Sequence, residues 1–122
     1  MGKKREIRVE IKGEQESAKE FVDVYKRAVK GKSPRGAIDR IYFADMETLT
    51  RVLSNRRLEL LQTLHRYGSL SIRALAKRMD RDYKNVYGDV QVLKRAGLIE
   101  IDQSGCLLTP WDRITAEISL AA

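Results

Sequence analysis

Residues 71–97 read SIRALAKRMDRDYKNVYGDVQVLKRAG, and this stretch decides the fold. Ile72, Leu75, Ala76 and Met79 recur at i, i+3, i+4 and i+7, so they line one side of an α-helix and leave Arg73, Lys77 and Arg78 on the other. Ser71 stands where an N-cap hydroxyl accepts from a free backbone N–H of that helix. Asp80, Arg81 and Asp82 form a short polar turn, and Asp82 is placed to cap a second helix running from about Tyr83 to Ala96. There Val86, Val90 and Leu93 make the buried stripe, so Lys84, Tyr87, Gly88, Gln91 and Arg95 point outward, with Tyr83 and Asn85 on the first turn. Ala76 is small where the two helices must cross, and Gly97 ends the second one.

Working outward, Leu58, Leu60, Leu61 and Leu64 give a preceding helix that begins near Asn55 and stops at Gly68. On the other side Leu98-Ile-Glu-Ile-Asp and Cys106-Leu-Leu-Thr flank Gln103-Ser-Gly, a hairpin signal with glycine in the turn. Three short helices followed by a hairpin, from Asn55 to Thr109, predict a winged helix-turn-helix. The commonest use of that module is to lay its third helix in the major groove of DNA.

Charge agrees with that use. From Arg66 to Gly97 there are eight basic and three acidic residues, a net of +5 out of +7 for the chain. Lys and Arg that neutralise phosphates release condensed counterions, which is the main source of sequence-independent affinity for a duplex. The expected phosphate contacts are Ser71, Arg73, Lys77, Arg78, Arg81 and Arg95. The expected base contacts are Tyr83, Lys84, Asn85, Tyr87 and Gln91, because Asn and Gln pair with adenine edges and Lys reaches guanine or phosphate. Asp89 is acidic and would repel phosphate, so an ion pair with a neighbouring Arg is expected for it. The hairpin carries Glu100 and Asp102 and no basic residue, so the reading of sequence is expected to rest on the helix.

The runs Ser71-Ile-Arg-Ala-Leu-Ala, Arg81-Asp-Tyr-Lys-Asn-Val, Asp89-Val, Leu93, Ala96-Gly-Leu-Ile and Pro110-Trp-Asp-Arg-Ile resemble a family of small bacterial and archaeal MarR-like predicted transcriptional regulators. The likeness is close from Leu53 onward and weak before Asp45. Such proteins are often proposed as antitoxins, so the resemblance implies autoregulation of an operon and binding to a toxin protein. Where that family commonly shows His-Arg between the Val and Asp of the third helix, this chain has Tyr87-Gly88. A glycine inside a helix costs roughly 1 kcal/mol relative to alanine.

The chain has 122 residues, enough for one core and too few for two ordinary domains. The expected class is α+β and mainly helical: a winged helix-turn-helix domain over residues 45–112, an amino-terminal extension over 1–44, and a carboxy-terminal strand over 113–122. Within the extension, Ile7, Val9 and Ile11 alternate with Arg8, Glu10 and Lys12 as in a half-buried strand. An amphipathic helix is expected from about Glu14 to Lys30, a loop over Lys32 to Gly36, and another strand from Ala37 to Phe43. Ile114, Ala116, Ile118 and Leu120 alternate with polar residues at the other end. Lone strands leave backbone groups unpaired, so the flanking strands are expected to form a small sheet, within one chain or between two, in a homodimer.

Enzyme chemistry is not expected. His65 is the single histidine and Cys106 the single cysteine, on different elements, with no zinc-type spacing and no glycine-rich phosphate loop. No catalytic residue, metal or cofactor is therefore assigned. One cysteine also excludes an intrachain disulfide, and there is no run of about 18 apolar residues that would span a bilayer. A cytoplasmic protein without a membrane role is expected, with double-stranded DNA as its partner. The functional expectation is a sequence-specific transcriptional regulator, a repressor acting as a dimer. The alternative is an antitoxin-type interaction protein that neutralises a toxin.

Overall fold

The computed structural model describes residues 5–11 and 39–120. The expected helix from Glu14 to Lys30 and the loop after it lie outside the described residues. The described elements make an α+β chain of four helices and flanking strands, divided into two compact units: Met1–Thr50 with Arg113–Ala122, and Arg51–Asp112.

The first unit holds a three-stranded, all-parallel sheet. β1 (Glu6–Ile11) lies in the centre, between β2 (Asp39–Phe43) and β5 (Arg113–Glu117). The flanking strands thus pair within one chain. Register puts Val9 beside Ile41 and Ala116, and Ile7 beside Ile114, so one face is largely apolar, and Ile7 and Val9 are fully buried. The alternate residues are charged and pair across the strands: Arg8 with Glu117 at 3.5 Å, Arg40 with Glu10 at 3.7 Å, and Arg113 with Glu6 at 3.7 Å. β5 stops at Glu117, short of the alternation seen in the sequence, and Ile118 and Leu120 are exposed.

A short helix, α1 (Met46–Val52), was not anticipated by the periodicity, because seven residues barely complete two turns. It starts where the Asp45 carboxylate accepts from the Thr48 N–H at 2.7 Å, and it buries Leu49.

The second unit contains α2 (Asn55–Tyr67), α3 (Ile72–Met79), α4 (Tyr83–Arg95) and a hairpin of β3 (Glu100–Ile101) and β4 (Leu107–Leu108). Its core gathers Leu60, Leu61 and Leu64 from α2, Leu75 and Ala76 from α3, and Val86, Val90 and Leu93 from α4, closed by Leu98, Ile99 and Leu107. Each large apolar side chain buried there contributes roughly 1.5–3 kcal/mol. Ser71 caps α3 as expected, its hydroxyl accepting from Ala74 N at 3.1 Å; Ser54 does the same for α2 through Arg57 N at 3.4 Å. Asp82 departs from expectation: it has the N-cap backbone conformation, yet its carboxylate makes no capping hydrogen bond. Asp80 closes α3 in the left-handed region (φ 52), which aspartate tolerates better than most residues, and the Arg81 N–H then returns to the Ala76 carbonyl at 3.0 Å.

Gly97 (φ 85) reverses the chain after α4, so that Leu98 N–H donates to the Leu93 carbonyl at 2.9 Å. The hairpin strands are shorter than the apolar runs that foretold them. Leu98 and Ile99 pack into the core before β3 begins, and β4 also bridges Leu70 through hydrogen bonds of 2.7 and 3.1 Å. The turn between the strands is organised by one carboxylate. Asp102 accepts from Ser104 Oγ, Ser104 N, Cys106 N and Ser69 Oγ at 2.6–3.0 Å, and the chain turns at Gly105.

Candidate nucleic-acid interface

The outward faces of α3 and α4 carry most of the residues expected to act. Ser71, Arg73, Lys77 and Arg78 are exposed on α3 or at its cap, and Tyr83, Lys84, Asn85, Tyr87 and Arg95 are exposed on α4. Among the described residues no carboxylate stands within ion-pair distance of Arg73, Lys77, Arg78, Lys84 or Arg95. Exposed acids in the same region are Asp80 and Asp82, both in the turn between the helices. With Arg73, Lys77 and Tyr83 they line an open cleft of about 420 Å³.

Aromatic rings hold two of the arginines. Arg78 lies over the Tyr67 ring at 4.3 Å, which fixes the guanidinium against the end of α2. Arg73 approaches Tyr83 at 6.0 Å, and Tyr83 in turn stacks on Tyr87 with centroids 6.3 Å apart. These contacts reduce the rotamer freedom of long side chains while leaving their charge in solvent. Tyr67 had no assigned role in the sequence, because nothing in the helical spacing of α2 says that α3 brings an arginine over its last aromatic residue.

Two expected contacts are placed differently. Gln91 is half-buried, one turn after Tyr87 and two after Lys84. Arg81 is the larger correction: its side chain is only 18% exposed, and its Nη1 sits 2.8 Å from Asp89 Oδ2. That pair misses hydrogen-bond alignment and is otherwise unpartnered, so it is an electrostatic contact shielded from water. The other Asp89 oxygen accepts from Arg57 Nε at 3.1 Å. Arg57 Nη1 also donates to the carbonyls of Arg51 and Val52, at 2.6 and 3.4 Å, where α1 ends.

The consequence is that the single acidic side chain of α4 is enclosed by two arginines from elsewhere in the unit. Each guanidinium is largely desolvated, at 20% and 18% side-chain exposure, and so is the carboxylate, at 15%. An acid that faced outward beside Lys84 would cancel its charge. Drawn inward, it ties α4 to α2 and to the α3–α4 turn. The sequence predicted a partner for Asp89 but not Arg57, which lies 32 residues away.

Two further side-chain contacts lie at the segment after β4. His65 Nε2 meets Asp112 Oδ1 at 2.8 Å, and the Trp111 indole donates to the Gly97 carbonyl at 3.0 Å, so both fasten the segment after β4. Cys106 is half-buried in the hairpin. Among the described residues there is no group of His, Cys, Asp and Glu that could hold a metal, and no helix is long and apolar enough to cross a membrane.

Comparison with curated proteins and with solved structures returned no match. Residues 52–116 match the model of the family described as HVO_A0114, a span that takes in the whole basic face and most of β5. That match covers more than half of the 122 residues, and the chain belongs to the HVO_A0114 family.

Proposed function

We propose that the chain is a sequence-specific DNA-binding transcriptional regulator of winged helix-turn-helix type, in which α3 and α4 form the helix-turn-helix and β3–β4 the wing. The observation that carries this reading is the asymmetry of charge on α3 and α4. Six cations, Arg73, Lys77, Arg78, Lys84, Lys94 and Arg95, are exposed, whereas Asp89 is locked inward by Arg57 and Arg81.

In this reading α4 enters the major groove from its amino-terminal end. Asn85 is suited to the paired donor and acceptor of an adenine edge and Lys84 to guanine. The exposed rings of Tyr83 and Tyr87 pack on sugar or thymine methyl. Arg73, Lys77 and Arg78 hold phosphates beside the groove, Ser71 lies with them, and Arg95 reaches a flanking phosphate from the far end of α4. Arg81 acts through Asp89 instead of touching the duplex. A homodimer would present two copies of α4 to half-sites about 34 Å apart and repress by occluding a promoter. No cofactor is required.

The test is a gel-shift titration on duplex DNA from upstream of the chain's own gene. The doubly reversed variant Arg78→Glu/Lys84→Glu is expected to bind at least about 100-fold more weakly near physiological salt, and wild-type affinity should fall steeply as salt is raised. Equal affinity of variant and wild type would remove this arrangement.

A further inference from the structure

We infer that Gly88 marks the place where α4 makes its closest approach to the duplex, a notch that leaves room for the floor of the major groove. The inference rests on the DNA-binding reading above and deepens it, by naming the position on α4 where contact is tightest.

Helical geometry supplies the first step. At about 100° per residue, the buried stripe of Val86, Val90 and Leu93 points in one direction, and Gly88 points within about 15° of the opposite one. Gly88 is therefore the outermost position of the middle of α4. Its neighbours one turn away on the same side are Lys84 and Asn85 before it and Gln91 after it, all long or polar side chains. The ridge that would meet a ligand first has a gap at its centre.

Nothing among the described residues requires that gap. Gly88 has ordinary helical backbone, not the left-handed conformation that reserves Gly68, Gly97 and Gly105 for glycine. A Cβ built on Gly88 meets no atom within 4 Å. Alanine would fit in this unit without a contact and would favour the helix, so the fold by itself selects against glycine here. An external surface that reaches the α4 backbone provides the missing reason. A methyl group would hold that surface away and lengthen the hydrogen bonds of Lys84 and Asn85, one turn before it.

A tolerated glycine and a required one give opposite readings in a paired measurement. Duplexes are selected from a random-sequence library by the wild-type chain, and the selected duplex is the probe for fluorescence anisotropy. Thermal unfolding is measured on the same proteins. Gly88→Ala is expected to raise Tm by about 4 °C and to weaken binding about tenfold, and Gly88→Leu to weaken it about 100-fold, also with a raised Tm. Stability and affinity thus move in opposite directions.

Unchanged affinity in Gly88→Ala together with a raised Tm overturns the notch and leaves the DNA reading standing, provided Arg78→Glu/Lys84→Glu still abolishes binding. A lowered Tm overturns it too, since glycine would then serve the fold. Failure of the wild-type chain to enrich any duplex sinks both.

Discussion

Two faces of this molecule use the same residue types to opposite ends. On the sheet, Arg8, Arg40 and Arg113 each stand beside a glutamate of a neighbouring strand, so the charges close on one another. On α3 and α4, no carboxylate among the described residues stands within ion-pair distance of Arg73, Arg78 or Lys84, and the two arginines lie by tyrosine rings instead. A closed charge ladder has little field to offer a ligand, and surface pairs of this kind add only about 0–1 kcal/mol each. An open array of cations instead holds counterions, which a polyanion displaces. Charge count alone does not separate the two faces; the placement of the acids does.

The sharpest way to break that contrast is to neutralise each face in turn and measure how DNA affinity depends on salt. Lys77→Gln/Arg78→Gln is expected to lower affinity about tenfold or more and to reduce the slope of log affinity against log salt by about 2, one for each phosphate contact proposed for these two side chains. Arg40→Gln/Arg113→Gln removes the same number of charges and should leave the slope within about 0.5 of wild type. Equal slopes for the two pairs would mean that affinity follows net charge and that the α3–α4 face is not an interface.

The stripes that place α2, α3 and α4 were legible in the sequence because each is two turns or longer and has a single buried side. The alternation around Val9 foretold a strand in the same way. What was not legible is long-range. Periodicity shows that Ile7, Val9 and Ile11 share a face, but not that their strand lies centrally between β2 and β5, nor that all three run parallel. Exposure of Lys84 and Tyr87 followed from helix geometry alone. The loss of Arg81 from the exposed set did not, since it depends on where Asp89 and Arg57 meet after folding. A basic residue in a turn looks the same in sequence whether it faces solvent or an ion pair.

A smaller effect is expected where the two uses of charge meet, at Asp89. Arg57→Gln leaves one oxygen of a mostly desolvated carboxylate without its donor, which should cost about 1–2 kcal/mol of stability, with Arg81 still in place. It should also weaken DNA binding several-fold, because a less compensated negative charge then lies on the helix proposed to meet the duplex. Adding Asp89→Asn removes that charge, so the double variant Arg57→Gln/Asp89→Asn is expected to recover most of the affinity even if it does not recover the stability. If affinity and stability instead fall together and neither returns, the cluster is scaffolding only, and the face owes nothing to the burial of its acid.

The smallest effect concerns the acidic hairpin, whose charge is also consumed internally. Hydrogen bonds from the Ser104 hydroxyl first, then from Cys106 N and the Ser69 hydroxyl, hold the Asp102 carboxyl down at about 2, against an ordinary value of 3.8. A carboxyl whose pKa is lower in the folded chain stabilises the fold above its unfolded pKa and loses that contribution as pH falls through the folded one. The stabilisation is therefore complete above about pH 5 and disappears between about pH 4 and pH 2. Asp102→Asn keeps the shape but accepts more weakly, so its Tm should lie below wild type at neutral pH by a constant margin, and the margin should narrow below pH 4. DNA binding at pH 7 should change little, because this carboxylate is already engaged by four donors of the hairpin and of Ser69. A marked gain in affinity on removing its charge would show that the hairpin lies close to phosphate and repels it, and would extend the proposed interface from α3 and α4 onto β3–β4.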